Sequence, residues 1–388
     1  MIQGLIVFLP LKSLLIEMNI TIDYLFYFFL TASSIQLLYH LFIFLRIWFY
    51  KSPEKGSLSP VSVIVSSKNQ INQLKENLGK FLEQDYPQFE VVVINDASWD
   101  GTEDYLEELE KKYDHLKVVS NTFQENDRFS KGKKFALTLA IKAATHDTLL
   151  FSDADSYPSS NQWLKKMQAS FSSKKQIVLA YSRLEKRKGF LNRLLRYESL
   201  YEGLLSFSST LSGFPLLAQR RNLGYNRALF FSINGFFSHL NLSRGEAELF
   251  VEEVATSKNT AVCLSAEAMT LSNEQKNWKQ WFTDKRTYFH FAKRFRFSSL
   301  FLLGMNFFSQ FSFWLLFPVL MIYQFEWQLV LLVFTLRLCL QYVVYWKMCK
   351  YTNEYGLLWF LPFYELVIML IHSLLYLSIH IKKVHDWD

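Results

Sequence analysis

Thr148-Leu149-Leu150-Phe151-Ser152-Asp153-Ala154-Asp155-Ser156-Tyr157-Pro158 reads as a short apolar strand that ends in two carboxylates on alternate positions. A strand ending this way sets both acids at the carboxyl edge of a sheet, where open α/β folds bind their ligands. Hard oxygen donors at that edge suit Mg2+ or Mn2+ bridging a diphosphate. Asp-x-Asp is also a common solvated turn, so the neighbouring segments decide what the pair means.

Upstream, β-rich runs alternate with helical periodicity, the pattern of a mostly parallel sheet with crossover helices. Val61-Ser62-Val63-Ile64-Val65 is a strand, and Asn69 is placed to cap a helix whose apolar positions are Ile71, Leu74, Leu78 and Phe81. Tyr86-Pro87 closes that helix, and Phe89 to Ile94 forms a second strand, apolar on both faces as a buried parallel strand is. It runs into Asn95-Asp96-Ala97-Ser98-Trp99-Asp100-Gly101-Thr102, where Asp100-Gly101-Thr102 reads as a tight turn into an acidic helix. Leu116 to Val119 is a third strand, and Lys131-Gly132-Lys133-Lys134 opens the helix that leads to the acid pair. Ser52 to Ser59 is the best boundary for the start of this α/β domain.

Half of the 388 residues are hydrophobic and 37 are Phe, which is too apolar for one soluble domain. Tyr24 to Leu45 contains no Asp, Glu, Lys or Arg. At about 1.5 Å per residue it covers a hydrocarbon core of about 30 Å. Asp23, not a basic cluster, precedes it, so a cleaved signal peptide fits poorly. Three more spans are expected at 298–325, 327–346 and 356–381. Arg337 lies inside the second of these, and Pro362 and Glu365 in the third leave a broken or re-entrant segment open. Glu365 is a functional candidate, partnered by Arg337 or by a helix terminus. The expected organisation is a membrane segment at 1–51, a polar domain at 52–297 and a membrane region at 298–388.

Arg46, Lys51 and Lys55 follow the first span, and Lys285, Arg286, Lys293, Arg294 and Arg296 precede the second. The positive-inside rule therefore puts the polar middle in the cytoplasm. Lys382 and Lys383 then fall on the wrong side of four spans, a conflict that a re-entrant last segment removes. Gly4 to Ile16 is too short to span and reads as an interfacial helix. The net charge of +7 sits beside lipid-facing runs and no basic, aromatic-interleaved strand motif occurs, which favours a membrane surface over nucleic acid. Cys263, Cys339 and Cys349 are odd in number and lack metal-ligand spacing, so reduced thiols and no structural zinc are expected.

Val61 to Gln70, Asn95 to Thr102, Lys131 to Leu137, Ser152 to Pro158 with Trp163, and Arg221 to Tyr225 follow one another in a recognisable order and spacing. Over roughly 60–291 the chain resembles the family 2 glycosyltransferases, in particular the membrane-bound branch related to cellulose and hyaluronan synthases. The resemblance implies a GT-A fold and metal-dependent, inverting transfer of a sugar from a nucleotide-diphosphate sugar, a UDP-sugar first of all. The acceptor hydroxyl would belong to a saccharide or a lipid-linked acceptor, and the protein to the inner membrane. Asp96 then matches the acid that meets the nucleotide base. Asp155 would hold the metal, with Asp153 over the ribose or donor sugar and beside the ion. Lys131 and Lys134 would offset phosphate charge, with solvated helix lysines as the alternative, and Asn222 lies in a matched substrate-binding segment. Trp281 stacks on an acceptor sugar or, like Trp278, anchors at the interface.

The chain departs from that family at the catalytic base. Arg244-Gly245-Glu246-Ala247-Glu248-Leu249-Phe250-Val251 aligns with the segment that carries it, yet Ala247 stands where Asp is expected. A methyl group takes no proton, which leaves Glu246 or Glu248, of which Glu248 is the better placed. The Gln and Arg expected near Asp284-Lys285-Arg286-Thr287-Tyr288 are out of register, with Arg286 the compensating candidate, and Gln70 replaces an acid. A catalytically degenerate homologue, binding nucleotide or acting as a membrane scaffold, is the alternative. A transporter would need more spans and a repeat symmetry that is not found.

Overall fold

The computed structural model describes residues 11–53, 58–121 and 132–381. Lys55, Lys131, Lys382, Lys383 and most of the expected interfacial helix lie outside the described residues.

Among the described residues ten strands make two sheets: β1 (Val61–Ser67), β2 (Phe89–Asn95), β3 (Leu116–Ser120), β4 (Thr148–Asp153), β5 (Ser156–Pro158), β6 (Ile177–Ala180), β7 (Ser182–Leu184), β8 (Leu223–Asn226), β9 (Thr260–Cys263) and β10 (Thr270–Ser272). The main sheet runs β3-β2-β1-β4-β8-β6-β9, and the small one runs β5-β10-β7. Within the main sheet only β8 runs antiparallel, to β4 on one side and β6 on the other. Every residue of β1 is buried, as expected of a central strand covered on both faces.

The crossover helices are α2 (Ile71–Leu82), α3 (Thr102–Glu110), α4 (Lys133–Ala143) and α5 (Trp163–Gln168), preceded by α1 (Leu11–Leu38). α2 starts without a side-chain cap of its own; Asp100, from the next sheet-edge loop, accepts from the Ile71 amide at 2.9 Å. The Asn69 side chain instead accepts from the Trp99 amide at 3.0 Å, so the two loops at the carboxyl edge cap one another. Gly101 has φ +85°, as the tight turn requires.

After β7 come α6 (Phe190–Leu211), α7 (Arg227–Ser232), α8 (Glu246–Val254) and α9 (Trp278–Ala292). The last three helices are α10 (Phe297–Ile322), α11 (Trp327–Thr352) and α12 (Leu361–Ile381). Among the described residues four helical stretches are long and apolar enough to cross a membrane: Thr21–Phe49, Phe297–Ile322, Trp327–Thr352 and Tyr355–Ile381. Pro362 does not break the last one. It sits in the first turn of α12, where no intrahelical donor is lost, after a 3-10 turn over Tyr355–Phe360.

One face of the main sheet packs on α2 and α5 through Leu74, Phe81, Trp163 and Met167. The other face shares its apolar core with α4, α6 and α8 and continues without a break into Met348 of α11 and Tyr364 and Ile368 of α12. The α/β domain and the membrane helices are thus one packed body. Within the spans, Glu365 is buried and meets Arg337, whose Nη1 donates to Oε2 at 2.9 Å and whose Nη2 donates to Oε1. Gln310, Gln341 and Trp314 also donate to this carboxylate, at 2.6, 3.0 and 3.2 Å. The two opposite charges of this buried pair thus meet one another, as burial demands.

Candidate active site

β1 carries the site between its two neighbours. It pairs Ser67 with Asn95 of β2 and Ser66 with Asp153 of β4, so Asp96 and Asp153 emerge at the same carboxyl edge on either side of it. Asp96 is buried and accepts from Asn121 Nδ2 at 2.9 Å and from Lys68 Nζ at 3.3 Å.

The antiparallel return of β8 supplies what the parallel strands lack. Leu223 pairs with Phe151, which brings Arg220 and Arg221 alongside the residues that follow Phe151. Gly224 permits the close approach: a Cβ there would lie 2.5 Å from Leu150 Cδ2. Arg221 holds Asp155 in a two-pronged pair, Nε to Oδ1 at 2.9 Å and Nη2 to Oδ2 at 2.7 Å. The same Nη2 donates to Glu274 Oε2 at 2.7 Å, and Nε lies 3.8 Å from Asp153 Oδ2. Asp153 accepts from Arg220 Nε at 2.7 Å, from Lys133 Nζ at 2.5 Å and from Ser66 Oγ at 2.6 Å. Burial alone would raise both aspartates. Lys133, Arg220 and Arg221 outweigh it for Asp153, and Arg221 does so for Asp155, so both carboxyls stay ionised below the ordinary range.

Gly245, at φ +84°, turns the chain into α8 and delivers Glu246, Ala247 and Glu248 to its first turn. Glu246 is buried, with Oε1 3.1 Å from Lys133 Nζ. Its burial is outweighed by Lys133 and Arg220, which hold it below the ordinary glutamate range. Glu248 meets the reverse situation: burial and the nearby Glu246 charge push its carboxyl up to about 7. No salt bridge is formed by Glu248 among the described residues.

Two cavities meet at Arg220 and Glu246. The larger, about 200 Å³, is bounded on the acid side by Arg220, Arg221, Glu246 and Glu248 and on the far side by Glu198, Trp281, Lys285 and Tyr288. The smaller, about 20 Å³, lies between Lys133, Asp153, Arg220, Glu246 and the Ala247 methyl. Trp281 is buried with its indole N–H on Glu198 Oε2 at 2.8 Å, so it is a fixed wall of the larger cavity and not an interfacial anchor.

Three expectations are corrected. Lys134 does not reach the acids; its buried ammonium donates to the carbonyls of His239, Leu242 and Arg244 at 2.8, 2.8 and 2.9 Å, using all three of its protons. Lys133, about 100° around the helix, faces the acids instead. Asn222 is fully buried and committed to structure, accepting from the Trp163 indole at 3.1 Å and donating to the carbonyls of Tyr181 and Ala268 at 2.8 Å each. α9 lines the larger cavity with Trp281, Asp284, Lys285 and Tyr288, the positions of one helix face, and Arg286 lies off that face. Sequence reasoning missed Lys133, Arg220, Arg221 and Glu274 as site residues. Two adjacent arginines immediately before a short apolar strand, which begins beside Asp-x-Asp, were the available signal.

A divalent ion fits the acid pair chemically. Arg221 is already one cation shared by both carboxylates. Among the described residues no three His, Cys, Asp or Glu side chains gather into a metal cage. An ion here would use one or two carboxylates plus oxygens of a substrate phosphate, as Mg2+ commonly does.

Residues 62–236 match the family model described as glycosyl transferase family 2. The chain carries a family 2 glycosyltransferase domain. This domain is 35% identical over 125 residues to a beta-monoglucosyldiacylglycerol synthase of Nostoc sp., covering 31% of this chain and 26% of that protein. It is 29% identical over 146 residues to a probable glycosyltransferase, YdaM, of Bacillus subtilis, covering 34% of each. The matched stretch thus spans between a quarter and about a third of those relatives' lengths. In three dimensions the chain is similar to a mannosyltransferase of Pyrobaculum calidifontis solved with GDP-Man and Mn2+, with TM-score 0.56, 18% identity, and 90% of this chain and 98% of that one covered. The glycosyltransferase domain therefore has the GT-A fold, set between apolar helices on both sides.

Proposed function

We propose that the protein is a membrane-anchored transferase that moves a sugar from a nucleotide-diphosphate sugar, a UDP-sugar first of all, to a hydroxyl of a saccharide or lipid-linked acceptor. The observation that carries this is the placement of Asp96, Asp153 and Asp155 at one carboxyl edge of the sheet, beside a cavity of about 200 Å³ whose wall includes Glu248, a carboxyl pushed up to about 7. A general base works best when its pKa lies near the operating pH.

In this scheme Asp96 accepts from the nucleotide base, with Asn121 and Lys68 fixing its carboxylate. Asp155, with Asp153, would hold a Mg2+ or Mn2+ ion, which would offset the charge that builds on the departing diphosphate. Lys133 and Arg220 keep Asp153 ionised and oriented. Glu248 takes the proton from the acceptor hydroxyl as its oxygen bonds to the anomeric carbon. The bond from that carbon to the diphosphate breaks, and its electron pair leaves with the nucleotide. A single in-line displacement of this kind inverts the anomeric centre.

The positive-inside rule supports a cytoplasmic site in the inner membrane. Arg46 lies in the last turns of the first apolar helix and Lys51 follows it, Lys293, Arg294 and Arg296 precede the second, and Lys347 and Lys350 lie near the end of the third. The test is release of UDP or another nucleoside diphosphate by purified protein from a panel of donors. Metal-dependent release that is abolished in Asp155→Ala supports the proposal, and metal-independent turnover overturns its metal assignment. Ala247 favours a second reading, a homologue that binds donor without transferring it. Donor binding with no release from any sugar nucleotide would establish that reading instead.

A further inference from the structure

Arg221 is shared between two carboxylates, and only one of them belongs to the proposed metal site. Its Nη2 donates equally to Asp155 and Glu274, at 2.7 Å each. Glu274 is reached by Lys276 at 3.3 Å, and Lys276 also holds Asp284 at 2.6 Å, which Arg244 pairs with at 2.6 Å. On the other side Arg220 and Lys133 hold Asp153, and Lys133 goes on to Glu246. Five acids and five bases thus form one connected network, balanced in charge and mostly withdrawn from solvent.

A balanced, buried network constrains what can enter. A divalent cation alone must expel the Arg221 guanidinium from Asp155, leaving two extra positive charges in the network. A diphosphate alone must draw Arg220 or Arg221 away, leaving Asp153 or Asp155 unpaired beside another anion. Either half-reaction strands a buried charge, which is strongly unfavourable. Entering together, the ion takes the carboxylates and the guanidinium takes the phosphate, and no charge is stranded.

We infer that Arg221 is the exchangeable partner that makes the divalent ion and the nucleoside diphosphate bind together: it leaves Asp155 for the diphosphate while Glu274 keeps hold of Nη2. This rests on the donor reading above and adds to it a positioning residue and a coupling between ion and nucleotide that the acid pair alone does not specify. Reciprocity requires that the ion tighten the nucleotide by the same factor as the nucleotide tightens the ion.

The test is calorimetric titration of the full-length protein in nanodiscs with Mn2+ alone, UDP alone, and UDP in saturating Mn2+, with Mn2+ binding checked by its electron paramagnetic resonance signal. Wild type should bind UDP at least about tenfold more tightly with Mn2+ than without, about 1.4 kcal/mol of coupling. Arg221→Gln makes the network one charge more negative, so Mn2+ alone should tighten, UDP alone should weaken, and the coupling should shrink. Glu274→Gln makes it one charge more positive and should move both single affinities the opposite way. Arg221→Lys, which keeps the charge but loses the fork, should fall between wild type and Arg221→Gln and serves if the latter does not fold. Shifts of the same sign in Arg221→Gln and Glu274→Gln, or none, overturn the inference while leaving donor binding intact. Failure of wild type to bind any nucleoside diphosphate, with or without Mn2+, overturns the donor reading and the inference together.

Discussion

Glu246 and Glu248 lie two positions apart in the first turn of α8 and are driven in opposite directions, Glu246 downward by Lys133 and Arg220, Glu248 upward to about 7 by burial and by Glu246 itself. Environments that separate two carboxyls in this way assign them different tasks. Glu246 is a fixed anion of the ion-pair network. Glu248 is the group able to exchange a proton near neutrality.

With Glu248 as the proposed base, acting in its ionised form, the transfer rate should rise with pH through about 7 and level off above it. Glu248→Gln should lower transfer by roughly 10²- to 10⁴-fold and remove that limb. UDP binding should be unchanged. Stability follows different signs. Ionising Glu248 is uphill in the folded protein, so its contribution declines as pH rises from the ordinary glutamate range through about 7. Asp153, Asp155 and Glu246 stabilise the fold above the ordinary carboxylate range, and that contribution is lost as pH falls through their depressed values. Thermal midpoints across pH 3 to about 8, with and without Glu248→Gln, separate the two effects.

Ala247 leaves a cavity of about 20 Å³ between Lys133, Asp153 and Arg220. A carboxylate built there would be met by two cations. Ala247→Asp in a Glu248→Gln background should restore a measurable part of the lost transfer. No recovery, with Tm unchanged, would mean that position 247 does not face the acceptor oxygen.

Lys133 and Lys134 should separate cleanly. Lys134→Met leaves three carbonyls of the 239–244 loop without their donor, at a cost of about 1–3 kcal/mol each where water cannot replace it, and should appear mainly as a lower Tm. Lys133→Met should instead weaken UDP binding in Mn2+, since it loosens Asp153 and Glu246. Equal Tm losses with equal UDP affinities would overturn this division.

Arg337 and Glu365 provide a stability test within the apolar helices. Removing one partner, in Arg337→Leu or Glu365→Leu, strands a buried charge and should cost about 3–5 kcal/mol. The double variant should recover much of that loss. Detergent-solubilised Tm values for the four proteins close the cycle.

The alternation of strands and helices from Val61 to Asp155 was legible because buried parallel strands and amphipathic crossovers have unmistakable periods. So was the pairing of Glu365 with Arg337, since an acid in an apolar run has few alternatives. The antiparallel entry of β8 was not legible, because Leu223-Gly224-Tyr225-Asn226 carries no sign of its direction. That one reversal moves Arg220 and Arg221 into the site. Lys134 and Arg286 were each one residue away from the side chain that faces the cavity, Lys133 and Lys285, and on a helix one residue is a rotation of about 100°. Asn222 illustrates a different limit: an amide inside a recognised motif looks the same in sequence whether it touches substrate or, as here, holds Trp163 and two carbonyls.

Glu198, on the wall of the larger cavity, accepts from Trp281 and Lys285 of α9 on one side and lies 2.6 Å from His372 of α12 on the other. α12 lies in a helical stretch long and apolar enough to cross a membrane, and a hydrocarbon layer of different thickness would press such a helix to tilt. A change in acyl-chain length therefore pulls on the same carboxylate that braces Trp281 and Lys285. Reconstitution in bilayers of graded thickness should alter acceptor KM more than donor KM, which makes the surrounding lipid a tuning element of the chemistry and not merely its support.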